Sequence, residues 1–174
     1  MSDHMSEPDT AMVLFGDKLI SSSAFKTLFR EGMALVEETA AYLDGPGREE
    51  SRGLARAGTL AFATESMRLT TRLMQLASWL LLQRAVNEGE MSSEQARAEK
   101  HKVKLNSTAP EPDSDVMTLL PERLADLIRQ SVRMQSRIRH LEEVLNKRDL
   151  VAVEQDNAVG LQLDRLRQAF SPGK

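Results

Sequence analysis

The chain has 174 residues, of which 41% are hydrophobic, 28% charged and only 4% aromatic; this is apolar material for one sizeable core, and the length argues against two full domains. Lys and Arg number 23 against 26 Asp and Glu, a formal net charge of -3, so the chain as a whole lacks the basic excess of a body built to coat nucleic acid or anionic membrane. Cysteine is absent, which excludes a disulfide framework, a thiolate zinc site and a thiol nucleophile, and leads us to expect a reducing, cytoplasmic setting.

The acidic, polar start MSDHMSEPDT has neither the basic flank nor the apolar run of a signal peptide. The longest oily stretch, Leu73 to Leu82, is too short to span a bilayer, so no membrane association is expected. Residues 1–20 mix Pro8, Gly16 and polar groups around Met12 to Phe15 and read as a flexible lead-in. Beyond them Ala, Leu, Met, Glu, Gln and Arg dominate, β-branched and aromatic residues are sparse, and no period-two alternation is visible. The expected class is all-α: an antiparallel three-helix bundle over residues 21–148 with a short extra helix.

The first helix is expected to start near Ser21 to Ser23, whose hydroxyls suit an N-cap, with a core stripe of Phe25, Leu28, Phe29, Met33, Val36, Ala40 and Leu43. Asp44-Gly45-Pro46-Gly47 ends it as a hairpin. A second helix follows from about Glu49 to Asn87, where Glu88-Gly89 supplies a stop. Stepping 100° per residue, Leu69, Leu73, Met74, Leu76, Ala77, Leu80 and Leu81 form its broad core face. Ser92 and Gln95 have capping-box spacing and start a short helix to about Lys104.

Residues 105–118, with NSTAPEPDSD at their centre, have the composition of a solvated linker. Pro121 then opens a third long helix to about Arg148, with a heptad seam of Leu124, Leu127, Ser131, Met134, Ile138, Leu141 and Leu145. Its one polar position, Ser131, is costly unless the hydroxyl bonds back to the preceding turn. Residues 149–174 read as a flexible tail with a short amphipathic segment.

Catalytic constellations are missing from the sequence. There is no HExxH, GxxxxGK[ST] or GxGxxG, and His4, His101 and His140 are scattered. Glu37-Glu38 and Glu142-Glu143 are adjacent pairs that a helix splays about 100° apart. The expectation is a non-enzyme with no catalytic, cofactor or metal site.

Binding surfaces are better supported. On the second helix Arg68, Arg72, Gln75, Trp79 and Leu82 lie off the core arc, and a tryptophan flanked by arginines has the composition of an interface hot spot. The competing account is that the short helix over residues 93–104 folds back on Trp79. On the third helix Arg129, Arg133 and Arg137 recur every four residues, a stripe suited to an acidic partner or to phosphates, or simply a hydrated face. No helix-turn-helix with base-reading side chains accompanies it, which disfavours nucleic acid. In the tail Leu161, Leu163, Leu166 and Phe170 form a candidate cargo-binding segment that folds on binding.

Three stretches, EGMALVEETAAYLDGPGREESRGL (residues 31–54), ATESMRLTTRLMQLASWLL (63–81) and LPERLADLIRQSVRMQSRIRHLEE (120–143), resemble the regulator of CtrA degradation family of bacterial protease adaptors. The resemblance implies a non-enzymatic, mainly three-helix homodimer with a flexible C-terminal tail. It further implies an adaptor that delivers cargo such as transcription regulators to the ClpXP protease primed by a CpdR-type response regulator, and that can hold a cyclic-di-GMP-binding adaptor. The alternative from the residues alone is a nucleic-acid-associated helical regulator using the Arg129/Arg133/Arg137 stripe.

Overall fold

A computed structural model describes the backbone of residues 9–103 and 110–170 and the side chains of residues 23–103 and 110–147. Among the described residues there are six helices and no strand: α1 (Asp9–Asp44), α2 (Pro46–Arg52), α3 (Arg56–Asn87), α4 (Ser93–Val103), α5 (Ser114–Thr118) and α6 (Glu122–Phe170). The all-α class is as expected. The chain divides into a first unit, residues 1–134, and a second, residues 135–174.

Helix α1 begins at Asp9, well before the expected serines. Acidic Asp9 favours the first turn, and Gly16 costs only about 1 kcal/mol inside a helix, too little to break one with good formers on both sides. Its buried line is Phe25, Leu28, Gly32, Leu35, Thr39 and Tyr42, in steps of three and four. The expected stripe was therefore rotated: Phe25 and Leu28 belong to the core, Phe29, Met33, Val36 and Leu43 are half-buried, and Ala40 is exposed. Gly32 and Thr39 disguise the true seam. Gly32 is small for a reason, since a Cβ there would sit 2.5 Å from Leu80 Cδ1 of α3.

The expected second helix is two. Gly53 and Leu54 close α2 with tight bonds to Glu50 O (3.2 Å) and Ser51 O (3.4 Å), Ala55 is extended, and α3 restarts at Arg56. Glycine's low helix propensity puts the break here. The α1–α2 corner is clamped by Tyr42, whose hydroxyl donates to Glu50 Oε2 at 2.6 Å. Burial first, then the hydrogen bond and charge of Glu50, push the Tyr42 ionisation well above its ordinary value. At the far end α3 stops as expected, with Gly89 in the left-handed region (φ 76°). The capping box of α4 forms reciprocally, Gln95 N donating to Ser92 Oγ and Ser92 N to Gln95 Oε1, both at 3.2 Å.

Within the linker, residues 104–109 lie outside the described residues and residues 114–118 are helical, so the whole segment is not the irregular connection expected. Helix α6 also runs on beyond Arg148 to Phe170 as one backbone helix, where a flexible tail was expected. The seam of α6 is as expected at Leu124, Leu127, Ser131, Met134 and Ile138, all buried, and fades to half-burial at Leu141 and Leu145.

One topological expectation changes. A Cβ on Gly58 would meet Leu119 O at 3.1 Å, and Arg72 reaches Ser131. These pairs keep nearly the same sequence offset over about four turns of α3, so α6 enters parallel to α3. Helices α1 and α3 are antiparallel across their hairpin, but the third is not antiparallel to its predecessor. Helix α4 runs back along α3, and Leu119, just before α6, lies at the level where α3 began.

Candidate partner-binding surfaces of α3 and α6

The inner seam of α3 is Glu65, Leu69, Arg72, Leu76, Trp79 and Gln83, with Leu73 and Leu80 beside it, all buried. Half of its regular positions carry a charge or amide. Arg72, 2% exposed, donates from a guanidinium nitrogen to Ser131 Oγ at 3.0 Å, and Ser131 in turn donates to Ile128 O at 2.7 Å. The hydroxyl serves as acceptor and donor at once, which explains a polar residue in an otherwise apolar heptad seam. Glu65, 4% exposed, accepts from Arg68 at 2.7 Å, and Arg68 carries the charge out to solvent.

Trp79 is completely buried. The ammonium of Lys100 on α4 stands 4.4 Å from the centre of its ring and donates to Gln83 Oε1 at 2.6 Å, while Gln83 donates to Asn87 Oδ1 at 3.0 Å. The expectation that Arg72 and Trp79 lie on an outward binding face is thereby corrected. Arg72 serves the bundle's interior, and the fold-back of α4 covers Trp79. The rest of that face divides: Arg68 is exposed, and Gln75 and Leu82 are half-buried. Leu82 lines an open groove between α3 and α4 with Ser78, Leu81 and Ala85 on one wall and Glu99, Lys102 and Val103 on the other.

The expected core arc of α3 also breaks up. Met74 and Leu81, placed in it by the helical wheel, are 67% and 53% exposed. Together with Leu60 at 70% and Met67 at 73% they form a row at steps of seven on the outer side. From Ala57 to Leu81 the other exposed residues are small or hydroxylated, apart from Arg68. Even the hydroxyls are turned inward: Thr70 donates to Ser66 O, Thr71 to Met67 O and Ser78 to Met74 O, at 2.8, 3.0 and 2.8 Å. Their donors are used within their own helix, which lowers the polarity of the outer face. This surface was missed in the sequence because α3 is apolar on nearly all sides; the seven-residue recurrence of Leu60, Met67, Met74 and Leu81 was the available signal.

On α6 the arginines Arg129, Arg133 and Arg137 are all exposed, as the stripe required. Arg129 is ion-paired with Asp126 at 2.6 Å. Arg123 reaches across to Glu38 of α1 in a second ion pair. Among the described residues no cluster of three or more His, Cys, Asp or Glu is placed to hold a metal, and no helix is long and apolar enough to cross a membrane.

Residues 16–170 match the family described as protein of unknown function DUF1465. The chain is also similar to RcdA from Caulobacter crescentus CB15, a solved structure with 54% sequence identity and a TM-score of 0.56, the match covering 68% of this chain and 87% of that one. The chain belongs to the RcdA-type DUF1465 family. No curated protein matches it.

The DUF1465 match extends through the end of α6 and so includes the candidate cargo segment. There the backbone is helical, while the side chains of Leu161, Leu163, Leu166 and Phe170 lie outside the described residues.

Proposed function

We propose that this RcdA-type protein is a cytoplasmic, non-enzymatic adaptor that delivers cell-cycle regulatory proteins to the ClpXP protease. It works by tethering: one surface engages the protease, primed by a CpdR-type response regulator, and another holds cargo, so the cargo's local concentration at the unfoldase rises without new chemistry. The observation that carries a binding role is the outer row of α3, where four large apolar side chains stand exposed on a face whose hydroxyls are internally bonded. Contiguous exposed apolar surface of this kind marks an interaction site. The similarity to RcdA supports the adaptor reading.

In this account the outer row seats a second copy of the chain in a homodimer, with Arg68, Gln75 and Leu82 at its margin. Arg129, Arg133 and Arg137 face acidic partner surfaces, and the segment from Leu161 to Phe170 takes cargo such as transcription regulators or a cyclic-di-GMP-binding adaptor. The test is reconstituted degradation: adding this protein to ClpXP and the primed response regulator accelerates ATP-dependent loss of a specific cargo. Equal degradation with and without it, across candidate cargoes, rejects the adaptor role.

A further inference from the structure

We propose that α4 is a releasable cover on α3, pinned over Trp79 by the ammonium group of Lys100. The helix has eleven residues and one buried side chain, Ala96. A helix of this length has little stability of its own and is kept by what it packs against. It lies close on α3 but is anchored by no large apolar side chain: Ala98 is exposed and Val103 only half-buried, in contrast to the leucine-bearing seams of α1 and α6. Yet beneath it lies the largest fully buried side chain of the described residues, Trp79.

What bridges the two is Lys100. Its ammonium lies 4.4 Å from the indole centre and 2.6 Å from Gln83 Oε1. Cation over ring and charged donor to amide are both directional contacts that vanish when the charge is removed, even if the aliphatic stem remains. Two further features suit a cover that moves as one piece. The reciprocal Ser92/Gln95 cap closes the first turn of α4 with bonds that involve no residue of α3. The turn before it contains Gly89 at positive φ, with nothing within 4 Å of where a Cβ would be. An open groove runs between Leu81, Leu82 and Ala85 of α3 and the Val103 end of α4. Release would join Trp79 to the outer apolar row of α3 and widen that face.

Trp79 is the chain's one tryptophan, so its fluorescence reports on this one position. On the full chain, native-state amide exchange is expected to place residues 93–103 in a separate unit that opens more readily than α1 and α3. Lys100→Met is expected to speed exchange in that segment about tenfold and to raise acrylamide quenching of Trp79, leaving α1 unchanged, whereas Lys100→Arg, which keeps a stacking cation, stays close to the parent. Wild-type α4 amides that exchange only together with α3 overturn the proposal, and this measurement needs no variant. So does a folded Lys100→Met protein with parental quenching and exchange. Should Lys100→Met not fold, Gln83→Leu removes the amide acceptor and is expected to give a smaller change of the same sign; no change in a folded Gln83→Leu protein likewise overturns it.

Discussion

The two sides of α3 invert the usual arrangement of a surface helix. Its inner side buries Glu65, Arg72 and Gln83, while its outer side exposes Leu60, Met67, Met74 and Leu81. The inner polar residues each hold a hydrogen bond, Glu65 from Arg68, Arg72 to Ser131 and Gln83 from Lys100, although Arg72 Nε is buried without one. Such directional bonds tie the helix to one rotation and one register. The apolar groups of the outer row stand exposed among the described residues. The contrast teaches that the inner side is specified by polar contacts within the chain, while the outer side offers apolar surface for binding.

That comparison can be broken at several points. The largest effect on stability is expected for Arg72→Ala, which leaves a cavity and strips Ser131 of its charged donor; a loss of about 3 kcal/mol or more should be seen in urea unfolding. Combining Arg72→Met with Ser131→Ala is expected to cost less than the two single changes summed, since neither polar group is then stranded. Strictly additive costs would mean that the Arg72–Ser131 bond contributes nothing.

Next comes Gly32→Val, which drives a branched side chain into Leu80, itself fully buried. A loss of about 1–3 kcal/mol is expected by the same measurement. A neutral result would show that α1 and α3 separate more easily than their close approach suggests.

Tyr42→Phe removes the hydrogen bond to Glu50 and is expected to cost about 1 kcal/mol at neutral pH. The folded state holds the Tyr42 hydroxyl protonated above its ordinary ionisation. Its contribution is therefore fully present below about pH 10 and is lost as the pH rises from there toward the folded-state value. Urea titrations at rising alkaline pH should show this extra decline in the parent and not in Tyr42→Phe.

The smallest effect on the fold is expected at the outer row. Met67→Glu, on a side chain 73% exposed, should change the stability of the isolated chain by about 0.5 kcal/mol or less. It should nonetheless abolish self-association in sedimentation equilibrium. Unchanged mass would remove the outer row as a dimer seat.

Local chemistry was legible in the residues themselves. The helical class, the end of α3 at Glu88-Gly89, the Ser92/Gln95 cap and the buried run of α6 from Leu124 to Ile138 all follow from short-range propensity and periodicity. Failures came where a signal was weak or symmetric. Gly53 broke a helix that carried no proline, Gly16 did not, and Gly32 and Thr39 hid the seam of α1. On α3 apolar residues surround the axis, so a helical wheel has no unique answer and placed Met74 and Leu81 on the wrong side.

By itself, then, the amino-acid sequence determined a cysteine-free chain of the all-α class, where most of its helices lie, and its likeness to the RcdA family. Tertiary structure decided which side of α3 faces inward, that α6 enters parallel to α3, and that Trp79 belongs to the core. The physical reason is range. Caps, breaks and heptads are set by neighbours within two turns, whereas the rotation of α3 depends on Ser131 meeting Arg72 and Lys100 meeting Trp79, contacts formed only once distant segments have packed.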